Sequence, residues 1–97
     1  MPMQATKINN VKKKQLMQTV GNIIRKHRLA QKKSIYAISA ECSISKTTWR
    51  EIEIGANNDI NFSTFWLIAE ALDIPQETLL SEIKEILGNG FNLAGLT

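Results

Sequence analysis

The sequence predicts an all-α fold, a compact five-helix bundle, on three observations. Apolar residues recur at spacings of three and four in five separate stretches, the period of a helix that buries one face. All but the first of these stretches open on a residue suited to begin a helix, and none alternates apolar with polar residues as a half-buried strand does. Ninety-seven residues with 43% hydrophobic content suit one domain around one core.

Residues 1–10 lack an apolar period and read as a flexible basic arm, so order is expected to begin near Val11. From there Leu16, Val20, Ile23, Ile24 and His27 share one face, with Lys12, Lys13, Arg25 and Lys26 outside it, which predicts a first helix over 11–30. Gly21 inside that helix costs about 1 kcal/mol relative to alanine, a cost that predicts a close approach by another helix. Ser34 precedes Ile35, Ala37, Ile38 and Ala40 and can cap the free amides of a short second helix ending near Glu41. Ser45 then caps a third helix that runs from Lys46 until Gly55, which adopts the left-handed conformation at little cost. Thr47 and Thr48 are poor helix formers, so packing by Trp49 and Ile52 must hold this segment.

Residues 56–60 read as a loop, after which Asn61 or Ser63 caps a fourth helix ending near Asp73. Pro75 opens a fifth, with Leu79, Leu80, Ile83, Ile86 and Leu87 as its apolar stripe and Gly88-Asn89-Gly90 as its end. Residues 11–88 thus form the domain. In the tail, 89–97, Phe91, Leu93 and Leu96 predict docking on something apolar, with a dimer interface as one such place.

Charge is divided unevenly along the chain: the first fifty residues carry +10 and the last forty-seven −7. Such asymmetry points to a basic face for a polyanion, or more blandly to a lysine-rich solvated arm beside ordinary surface helices. The single cysteine, Cys42, cannot form an internal disulfide, and with a single histidine, His27, it falls short of a usual zinc site. No metal and no cofactor is expected. Nor is an enzyme, because the chain has neither a Gly-rich phosphate loop nor a recognisable pair of carboxylates. His27 and Trp49 read as core or half-buried residues, and Cys42 as a small buried hydrophobe. With no apolar run near the roughly 18 residues of a membrane span and no secretory signal, the expected location is the cytoplasm.

Two short helices joined by a tight turn, the second opening on a serine cap and small polar residues, make Ser34–Gly55 a candidate helix-turn-helix. On its second helix Trp49, Ile52 and Glu53 face inward, while Lys46, Thr47, Arg50 and Ile54 project outward. Lys and Arg can donate to guanine O6 and N7, and Thr can meet a base edge or a thymine methyl. These residue types in one strip suit a reader of the major groove; a solvated helix face would look similar.

The chain resembles the lambda-repressor and Cro type of helix-turn-helix regulator over roughly Val20 to Leu80. The resemblance is carried by Val-Gly-x-x-Ile-Arg-x-x-Arg at Val20–Arg28, Ser-x-x-x-Ile-Ser at Ser34–Ser39, Ile-Ser-x-x-x-Trp-x-x-Ile-Glu-x-Gly at Ile44–Gly55 and Phe-x-x-Ile-Ala-x-Ala-Leu at Phe65–Leu72. It implies that Ser45 meets phosphate, that Lys46, Thr47 and Arg50 meet base edges with Glu51 as a further reader, and that Arg28 and Glu53 pair between helix 1 and the recognition helix. Two departures stand out. Ile35 occupies the position where the family usually has a phosphate-binding Gln, which leaves Lys32, Lys33, Ser34 and Tyr36 as the phosphate-contacting candidates. Ser43 replaces the usual turn glycine.

The fourth helix is apolar nearly all round, which predicts burial on more than one side. Trp66, Leu67, Leu79, Ile83 and Phe91 are accordingly candidates for a dimer or partner interface, unless helix 5 and the tail cover that surface within one chain. The expected function is a sequence-specific transcriptional regulator, a homodimer that binds double-stranded DNA at a near-palindromic operator and acts as a repressor where that operator overlaps a promoter. The alternative is an antitoxin-like module that holds a toxin through its C-terminal half and DNA through the helix-turn-helix.

Overall fold

Four of the five helices in the computed structural model, which describes residues 9–57 and 59–94, start at a side chain that accepts a hydrogen bond from the first turn. Asn9 caps α1 (Asn10–Ala30), Ser34 caps α2 (Ile35–Glu41), Ser45 caps α3 (Lys46–Glu53) and Asn61 caps α4 (Phe62–Ala71). Each bond satisfies one of the four amides a helix start leaves without a partner. Pro75 sits at the cap of α5 (Gln76–Leu87), where its φ of −57° leads into the helix and its missing N–H costs nothing. Among the described residues there is no strand, so the fold is all-α.

Helix ends depart slightly from expectation. α1 begins one residue early because Asn9, outside the apolar period, supplies its cap. α4 stops at Ala71, two residues short, since Asp73 turns left-handed with a φ of 56° and its N–H returns to the Glu70 carbonyl. Gly55 (φ 75°) and Gly88 (φ 86°) follow α3 and α5 as the sequence predicts. Most of the residues 1–10 arm, and Leu96 of the tail, lie outside the described residues.

α1 packs on α3 and α5, α2 on α3, and α4 on α5. Every helix contributes a fully buried side chain to one cluster: Ile24, Ile38, Trp49 with Ile52, Ile68 and Leu79. Burying each such side chain is worth about 1.5–3 kcal/mol, which outweighs the low helix propensity of the short α3. Gly21 meets the expected close approach, because a Cβ there would run into the backbone carbonyl oxygens of Ile52 and, at 2.6 Å, of Glu53. At Gly21 the seam between α1 and α3 is therefore backbone against backbone.

The tail as far as residue 94 docks within its own chain. Phe91 and Leu93 line a hollow with Leu16 of α1 and Leu87 of α5, and the Asn9 N–H donates to the Leu93 carbonyl at 2.9 Å.

Candidate nucleic-acid interface

The α2–α3 pair is held at its turn and at its back. Cys42 is extended (φ −138°), its N–H donates to the Ser39 carbonyl at 3.3 Å, and the Ile44 N–H donates to the Cys42 carbonyl. Ile44 is buried in the core and Ser43 is exposed with a negative φ, so this turn needs no left-handed residue and tolerates serine where glycine is usual.

Behind α3, Glu53 is 5% exposed and its carboxylate accepts from Arg28 Nε at 2.5 Å, Arg28 Nη2 at 2.9 Å and Trp49 Nε1 at 2.6 Å. Arg28 Nη1 donates to the Lys33 carbonyl at 2.8 Å, where the backbone has just turned through a left-handed Lys32 (φ 57°). Hydrogen bonds to Glu53 push the Arg28 guanidinium above its already high ordinary value, against the lowering effect of burial. Arg28 therefore keeps its charge and joins α1, α3 and the α1–α2 loop. The expected Arg28–Glu53 pair is present; the Trp49 indole donor is an addition, since a tryptophan offers one N–H and a buried one needs an acceptor.

On the solvent side Lys46, Thr47, Arg50 and Glu51 are all exposed, and Ile54 stands beyond them. Ser45 Oγ accepts from the Thr48 N–H at 3.1 Å and lies 3.0 Å from the Thr48 hydroxyl, which fixes the first turn of α3. Lys46 Nζ sits 5.0 Å from the centre of the exposed Tyr36 ring, a cation–π contact worth about 0.5–1 kcal/mol in such a setting. That contact, which spacing alone does not reveal, couples the first turns of α2 and α3.

The phosphate candidates divide. Lys32, Ser34, Tyr36 and Ser45 are exposed, with both serines engaged as caps. Lys33 is half-buried and its Nζ is engaged by both Glu41 oxygens at 2.8 and 2.9 Å, which leaves it little free charge for a ligand. Cys42 is half-buried with its Sγ 3.4 Å from the Ile38 carbonyl, and burial pushes its thiol above the ordinary range. His27, half-buried, places Nε2 2.6 Å from Glu82 Oε1 and so ties α1 to α5.

The expected interface needs correction at two positions. Leu79 is fully buried and Ile83 is 4% exposed; both belong to the core of this chain and cannot be offered to another. The stripe on α5 is wider than one face, and its outward members are Leu80 and Ile86. Leu67 and Phe91 are half-buried. Trp66 is 45% exposed, its ring 5.9 Å from that of the more exposed Phe62 and its indole N–H donating to Glu70 at 3.2 Å.

Among the described residues no three His, Cys, Asp or Glu side chains gather as metal ligands, and no helix is long and apolar enough to cross a membrane. The chain matches no protein-family model, and no curated protein matches it significantly.

Proposed function

We propose that this chain is a sequence-specific DNA-binding transcriptional regulator that occupies a near-palindromic operator as a homodimer. The observation that carries this reading is the two-sided build of α3: an exposed strip of Lys46, Thr47, Arg50 and Glu51 on a helix whose back is locked to α1 by the Arg28–Glu53–Trp49 network. A reader must present donors and also hold them still, because a good bidentate base contact, worth about 1–3 kcal/mol of discrimination, depends on angle. The basic first half of the chain supports attraction to the phosphate backbone. Ser45 and Tyr36, exposed at the starts of α3 and α2, fit phosphates on either side of the groove.

Exposed Phe62, Trp66, Leu80 and Ile86 support a protein partner on the α4–α5 side. In the regulator that partner is a second copy, which sets two recognition helices about 34–36 Å apart. In the antitoxin-like alternative it is a toxin. Selection of bound duplexes from a random pool, repeated with Arg50→Ala and Lys46→Ala, tests the reader. Each variant is expected to relax preference at particular base pairs, and retention of the parent's preferences by both would overturn the assignment.

A further inference from the structure

Between α1 and the α2–α3 pair lies a cleft of about 560 Å³. Gln18, Asn22 and Arg25 line it from α1, Ile35 from α2 and Arg50 from α3, around the Arg28–Glu53 pair. That pair is neutral in sum, since the two groups ion-pair with each other. The walls are not neutral. Arg25 and Arg50 are exposed, and neither side chain hydrogen-bonds or ion-pairs with another described residue. Gln18, Asn22 and Arg25 follow one another at spacings of four and three, so they form one row of donors on one face of α1. Among the described residues no unpaired carboxylate lines the cleft. Two guanidiniums, two amides and a concave surface with nothing to neutralise them are suited to an oxyanion, which guanidinium binds in a fork.

We propose that this cleft holds a phosphate group, with Arg25 as its main donor, the Gln18 and Asn22 amides completing the cradle and Arg50 extending from it toward a base edge. The inference rests on the DNA reading above and deepens it: Arg25, from α1, takes the backbone role that Ile35 at the start of α2 cannot perform. The same chemistry would also accept a free phosphate, and the two sources separate in one set of measurements.

Binding is followed by fluorescence anisotropy against a duplex of random sequence about two helical turns long, over a series of salt concentrations, for the parent, Arg25→Ala and Arg25→Lys. With a backbone phosphate in the cleft, Arg25→Ala weakens binding roughly tenfold, lowers the slope of log K against log salt by about 0.9, and leaves selected base preferences unchanged. Arg25→Lys restores most of the slope. In parallel, inorganic phosphate is titrated into the parent and Arg25→Ala while the side-chain amide NMR signals of Gln18 and Asn22 are recorded. Saturable shifts that vanish in Arg25→Ala support the cleft as a phosphate site open to the free ion. A slope change without such shifts supports it as a site for the DNA backbone alone. An unchanged slope with unshifted amides overturns the proposal. If the parent binds no duplex, the DNA reading fails on its own, and the phosphate titration decides the cleft: shifts support it, their absence overturns it.

Discussion

Glu53 is a buried carboxylate with three hydrogen bonds, and its loss would leave Arg28 charged and unpaired in the same low-dielectric site. Glu53→Ala is expected to lower the unfolding free energy by about 3–5 kcal/mol in urea denaturation. Replacing both partners, Arg28→Met with Glu53→Leu, is expected to recover only part of that loss, because no stranded charge remains but the buried Trp49 N–H loses its acceptor. Gly21→Ala puts a methyl group into the carbonyls of Ile52 and Glu53 and should cost about 3 kcal/mol, read as a shifted urea midpoint. Cys42 gives a pH-dependent readout. Its folded pKa is raised by burial, so the fold favours the protonated thiol; that contribution is full below the unfolded thiol's range and is lost as pH rises through the folded value. Iodoacetamide should therefore label Cys42 more slowly in the native than in the urea-unfolded chain near neutral pH, with the gap narrowing in alkali.

At the scale of the element, α3 is eight residues long and depends on its ends and its neighbours. Ser45→Ala removes its cap and is expected to cost about 1 kcal/mol, measured as lost thermal stability, while Ser45→Asp, which retains an acceptor, should cost less. Starts of this kind are legible in sequence because capping is local: Ser34, Ser45 and Asn61 each sit three residues before the amide they satisfy. Asn9 was not legible, since Asn10, the same residue type, stands between it and the first apolar residue, Val11. On α5 the sequence shows an apolar stripe but not which part faces inward. That choice falls to α1 and α4, which cover Leu79 and Ile83 and leave Leu80 and Ile86 outside. In the candidate site, the Arg28–Glu53 pair could be expected from resemblance. The Lys46–Tyr36 contact and the Arg25 cleft could not, because both depend on how separate helices meet.

Across the whole molecule, the basic half supplies α1, α2 and the start of α3, while the acidic half supplies α4 and α5. Under the proposed function this places attraction for DNA and contact with a second copy on different helices, so each can be removed separately. Trp66→Lys, at a half-exposed ring, is expected to leave the helical circular dichroism spectrum unchanged and convert a dimer into a monomer in sedimentation. A variant that remains dimeric would exclude Trp66 from the interface. The backbone seam at Gly21 has one further consequence. At that point of contact there is no rotamer to exchange, and the other tie to α1 runs from Arg28 to Glu53 at the back of α3, so its pose rests little on four of the residues shown to solvent: Thr47, Arg50, Glu51 and Ile54. Those four positions can be rewritten together while the scaffold keeps its melting temperature, so that under the proposed function one scaffold could carry recognition surfaces of many specificities.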